Sequence, residues 1–99
     1  MPPPGYLTQL RRICDEFGWL LIVDEIQSGL CRTGRWYAHQ HDDVLPDVLT
    51  TAKALANGYP ISVVAGREDI MRQVGDGVVH GGTYTCHSVS LAAAEKTLE

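Results

Sequence analysis

No apolar run in this 99-residue sequence is long enough to cross a bilayer. The longest, Trp19 to Val23, is five residues, against the roughly 20 that a spanning helix needs. Basic residues are also few: eight Lys and Arg stand against twelve Asp and Glu, for a formal net charge of −4. With no basic run and no basic-aromatic interleaving, this argues against a nucleic-acid surface. Met1-Pro2-Pro3-Pro4-Gly5 has neither the basic start nor the apolar stretch of a signal peptide. Cys14, Cys31 and Cys86 are odd in number and widely spaced, which makes neither a disulfide framework nor a CxxC metal site. Repeats, low-complexity tracts and linkers are absent. The expectation is a single α/β unit in the cytoplasm, with neither membrane nor nucleic acid as a partner.

The apolar residues that are present are ordered. Leu7, Leu10, Ile13, Cys14 and Phe17 recur at helical spacing, and Gly18 is placed to end the helix. "WLLIVDE", Trp19 to Glu25, then reads as a buried parallel strand delivering two acids at its C-terminal end, where open α/β sheets bind ligands. Gln27 to Arg35, "QSGLCRTGR", reads as a loop, and Trp36 to His41 as a short helical turn. Val48 to Thr51 predicts a short strand ending near Lys53. Asn57-Gly58 predicts a turn, and Ile61 to Ala65 another strand, with an antiparallel return left open. Glu68 to Val74 predicts a short helix broken by Gly75-Asp76-Gly77. A glycine-rich loop, His80 to Thr85, precedes an alanine-rich helix from Ser88 to Glu99. This alternation predicts a mostly parallel sheet flanked by helices.

The two acids admit more than one chemistry. Magnesium held beside a nucleotide would require a GxxxxGK[ST] loop, and the eighteen residues before the strand do not contain one. The chain has only two lysines. Lys96, beside Glu95 and Glu99, reads as a solvated helix face. Lys53, in "TTAKALANG", reads either as a surface lysine with its stem over apolar neighbours or as an amine kept partly from water to condense with a carbonyl. An acid at a strand tip, a lysine 29 residues on and a Gly-Gly-Thr loop 30 residues further match the needs of pyridoxal 5'-phosphate. A carboxylate such as Asp24 supports the charge on its ring nitrogen, a lysine bonds its aldehyde, and hydroxyl and backbone N–H donors hold its phosphate. His39-Gln40-His41-Asp42-Asp43 has the look of a metal cluster, but two histidines two apart on a turn, with no third ligand evident, read as a solvated polar loop; no metal is expected.

"GYLTQLRRICDEFGWLLIVDEIQSGLCRTGRWYAHQH", "PDVLTTAKALANGYPISVV" and "HGGTY…LAAAEKTLE" together resemble the class III aminotransferases, pyridoxal-phosphate enzymes of fold type I. The resemblance covers nearly the whole chain from Pro3. It implies that Asp24 pairs with the pyridine nitrogen, that Gln27 lies near the ring's phenolic oxygen, and that Lys53 forms the Schiff base and moves the proton. It further implies that Thr83 binds the phosphate of a neighbouring subunit's cofactor, in a homodimer acting on an amino donor and a 2-oxo acid. Glu25, Gly29, Arg32, Thr33 and Gly34 match the family motif in what read as structural roles. Two places depart from it: Cys86-His87-Ser88 stands where the family commonly has a Gly-Asn-Pro-like turn, and Leu30-Cys31 precedes Arg32. Residues 1–99 are expected to be a fragment of the cofactor-binding large domain with no complete second domain. The alternative is a non-catalytic, truncated α/β piece with no activity of its own.

Overall fold

The computed structural model describes residues 2–75 and 81–99. Helix α1, Tyr6–Phe17, ends at Gly18, whose φ of 65° is open to glycine without a Cβ penalty. Its free N-terminal amides are met from far along the chain: Gly5 N and Leu7 N donate to the Asp42 carboxylate at 3.3 and 3.0 Å. Strands β1 (Ile22–Asp24), β2 (Val48–Thr51) and β3 (Val63–Gly66) form one sheet in the order β1-β2-β3. The β1–β2 ladder is parallel, with Ile22 opposite Val48 and Asp24 opposite Thr50. β2 and β3 run antiparallel, with Val48 opposite Gly66. The sheet is therefore mixed: the antiparallel return left open for the third strand is the one taken, because the chain turns back after Asn57-Gly58 without a helical crossover.

β1 is shorter than the apolar run that contains it. It is an edge strand with β2 as its partner, and Trp19 and Leu20 lie exposed before the ladder begins. α1 covers one face: Leu7, Leu10 and Cys14 pack with Leu21, Val23 and Val44. The register places Ile22, Asp24, Thr50 and Val64 on the other face. There Ile22 is 60% exposed, so β1 is not the fully buried strand its composition suggests. Helix α2, Glu68–Met71, continues as a 3₁₀ turn over Arg72–Gly75, and α3 spans Ser88–Leu98. Ala94 of α3 packs on Leu55 and Ala56, which fixes the short 3₁₀ turn Lys53–Ala56 beyond β2. His87 caps α3, its Nδ1 accepting from Ser90 N at 3.3 Å. Asp76, Gly77 and His80 lie outside the described residues. Among the described residues no helix is long and apolar enough to cross a membrane.

Asp47 joins these pieces. Its buried carboxylate accepts from Arg11 at 2.7 Å, from Leu21 N at 2.8 Å and from Arg67 at 2.8 Å, tying α1, the start of β1 and the end of β3 to the start of β2. The Arg11 guanidinium and the Leu21 amide, aided by Arg67, outweigh burial and hold the Asp47 carboxyl far below its ordinary 3.8. A depressed folded-state value means that its contribution is complete above about pH 4 and is lost progressively in more acid solution. Asp47→Asn is expected to cost about 2–4 kcal/mol at neutral pH, read from the urea midpoint, since it leaves donors without an anionic acceptor. The fall in stability below pH 4 should be correspondingly shallower in the variant.

Candidate active site

Lys53 is set by strained backbone. It opens the turn after β2 with φ at 43°, and Asn57 closes that turn at 49°. The left-handed region costs a lysine about 1–2 kcal/mol, which the packing of Leu55 and Ala56 under α3 must offset. The side chain is exposed and its Nζ donates to Gln27 Oε1. The tip of β2 and the loop after β1 thus bring two of the four expected site residues together.

Asp24 ends β1 on the exposed face, beside Thr50. One carboxylate oxygen accepts from Ile26 N at 3.0 Å, which shapes the turn and leaves its other oxygen available. The hydroxyls of Thr50 and Thr51 are buried without a hydrogen-bond partner among the described residues. An orphaned hydroxyl next to Asp24 marks a place where a polar ligand group can be received. Thr83 lies exposed in the turn Gly82–Thr85, closed by Thr85 N to Gly82 O at 3.0 Å and by Gly82 N to Thr85 Oγ1 at 2.7 Å. Among the described residues no hydrogen bond joins Thr83 to Asp24, Gln27 or Lys53, and none joins Asp24 to Lys53.

A cleft of about 460 Å³ beside Lys53 is lined by Arg32, Asn57, Gly58, Tyr59 and Ile61 among others. Among the described residues it carries two cations and no carboxylate, the lining an anionic ligand requires. A larger cleft, about 670 Å³, is lined by Cys31, Arg35, Trp36 and His39 among others, and by none of the four expected site residues. With an amine, an amide oxygen and a carboxylate at neighbouring strand ends, and cations facing the adjacent cleft, the residues present fit the ring and charge of pyridoxal phosphate.

The acidic and histidine-rich segments have other duties than a solvated loop. Glu25 is 1% exposed. Its carboxylate accepts from Ala38 N at 2.6 Å, His39 N at 2.8 Å, His39 Nδ1 at 2.9 Å and Ser28 Oγ at 2.9 Å. Burial alone would push this carboxyl up, but the Ala38 and His39 amides, with His39 and Ser28 behind them, bring it below its ordinary value. His39 is therefore a buried partner of Glu25 and stacks on Tyr37. His41 Nε2 lies 3.0 Å from Thr33 O, and Asp42 caps α1. Among the described residues no three His, Cys, Asp or Glu side chains are grouped to hold a metal ion. Sequence reasoning missed this use of His39. Its one signal was spacing: a helical turn that brings residue 39 back over the strand tip.

A profile of the family described as aminotransferase class-III matches residues 1–99. Acetylornithine aminotransferase of Methanopyrus kandleri is 45% identical over 93 residues, 94% of this chain and 24% of that protein. Ornithine aminotransferase of Toxoplasma gondii superposes with a TM-score of 0.91 at 46% identity, covering 99% of this chain and 23% of its own. That crystal holds pyridoxal phosphate at partial occupancy in its active site. Taurine:2-oxoglutarate aminotransferase of Bifidobacterium kashiwanohense, solved with pyridoxal phosphate and glutamate, superposes at 0.88 with 38% identity, over 99% of this chain and 22% of its own. The chain thus spans about a quarter of the length of the relatives it matches. Its α/β architecture is that of the fold type I aminotransferases. The chain belongs to the class III aminotransferase family.

Proposed function

We propose that this chain is part of the cofactor-binding domain of a longer, pyridoxal-phosphate-dependent transaminase. The activity would pass an amino group from an amino acid or ω-amino donor to a 2-oxo acid. The single observation that carries the reading is Lys53, held on left-handed backbone at the end of β2 with its ammonium against Gln27. When bound, the cofactor supplies an aldehyde to take up the amino group and a ring that draws electrons from the carbon bearing it. Lys53 Nζ would anchor the aldehyde and, once displaced by the substrate amine, carry a proton to and from that carbon. Asp24 would hold the proton on the ring nitrogen, and the Gln27 amide would orient the ring's oxygen. Thr83 would serve the phosphate of a neighbouring subunit's cofactor, so the working form would be a homodimer. The three unpaired cysteines support a reducing, cytoplasmic setting. The exposed Ile22 and Val64 face supports the view that 99 residues alone are not the active species.

Reductive trapping tests this. The complete polypeptide is mixed with pyridoxal phosphate, reduced with borohydride and digested. The cofactor mass should appear on the Lys53 peptide, not on that of Lys96, and should fall in Asp24→Asn. Label shared evenly between the two lysines would remove the assignment.

A further inference from the structure

Glu25 is the most enclosed carboxylate of the described chain, and the reaction proposed above makes no use of it. It follows Asp24 directly and opens the loop that carries Gln27 and Arg32. Its four hydrogen bonds reach across that loop to Ala38 and His39, with Ser28 between, so the carboxylate fastens the loop's two ends together. The interior has no room to compensate: a Cβ at Gly29 would stand 2.8 Å from Glu25 O and 3.0 Å from the Tyr37 ring. Leu30 and Cys31 take consecutive left-handed conformations at φ 54° and 65°, which non-glycine residues adopt only when surroundings hold them there. Gln27 lies between the fastened end and this strained stretch, and its amide oxygen meets Lys53 Nζ.

We infer that Glu25 is a positioning residue for Lys53: by closing the 25–39 loop it holds the Gln27 amide against the lysine ammonium. Its functional meaning rests on the reading of Lys53 as the reactive amine, but the placement is measurable without cofactor.

The complete polypeptide, free of pyridoxal phosphate, is treated with trace acetic anhydride, and acetylation at Lys53 is divided by that at Lys96 of α3, which pairs with Glu99. Gln27→Ala should raise this ratio roughly threefold to tenfold, the weight of one solvent-exposed hydrogen bond. Glu25→Gln, which puts an NH₂ donor where one carboxylate oxygen accepted from a backbone N–H, should raise it by the same factor. The double variant should go no higher than either single one, because both act through one contact. Ser28→Ala keeps the carboxylate and removes one of its four bonds, so the inference stays testable if Glu25→Gln fails to fold; about a twofold rise is expected. A wild-type ratio in Glu25→Gln or Ser28→Ala, or multiplying effects in the double variant, would overturn the inference. Borohydride trapping on the same preparations separates the two readings. Expected ratios without trapping at Lys53 would support the loop clamp and dismiss the transamination chemistry.

Discussion

Lys53→Ala in the complete polypeptide is expected to lower kcat by at least about 10⁴-fold, because the amine proposed as both nucleophile and proton carrier is lost in one substitution. Stability should change little, within roughly 0.5 kcal/mol, since the side chain is exposed and its one hydrogen bond among the described residues is to Gln27. Lys53→Arg should be as inactive as the alanine variant, because a guanidinium keeps the charge but has no amine to offer. Small primary amines added to Lys53→Ala should restore part of the rate, and rescue should grow with the amine's basicity. Steady-state rates with saturating cofactor, alongside urea midpoints, would separate loss of chemistry from loss of fold. Activity in Lys53→Ala within tenfold of wild type would exclude the lysine from the reaction.

Asp24→Asn is expected to lower kcat by about 10²–10³-fold, the usual scale for removing one preorganised electrostatic partner. An asparagine oxygen can still accept from Ile26 N, so the turn after β1 should persist. The missing element is the negative charge proposed to keep a proton on the ring nitrogen. KM should move less than kcat, because the carboxylate acts on charge that develops during the reaction and not on the substrate. Equal losses in Asp24→Asn and in a control elsewhere on the surface, such as Asp43→Asn, would argue for a general effect of surface charge.

Parts of this protein can be read directly from its residues. Leu7, Leu10, Cys14 and Gly18 specify a helix and its end, because helical spacing and a left-handed glycine are local signals. β2 and the Asn57-Gly58 turn are legible for the same reason. The acid at the tip of β1 and the scarce lysine point to the candidate site because they differ from their surroundings in chemistry. The Asp47 network is not legible. Its partners Arg11, Leu21 and Arg67 lie 36, 26 and 20 residues away, and an aspartate after a proline resembles any turn acid. Glu25 and His39 are hidden in the same way. An exposure of only 1% and four converging donors are properties of the folded loop, absent from the string "DEIQSG". The ladder of β1 is shorter than its apolar run because apolar content reports burial in the assembled sheet, whereas ladder length depends on how far β2 runs beside it.

The most direct measurement is a crystal structure of the complete polypeptide with pyridoxal phosphate bound. The expected result is one ring touched by both strand ends: the Asp24 carboxylate within about 3 Å of the ring nitrogen, and Lys53 Nζ bonded to the carbon that the same ring's aldehyde provides. A cofactor held by Lys53 with its ring nitrogen away from Asp24, or bound to another lysine, would contradict it.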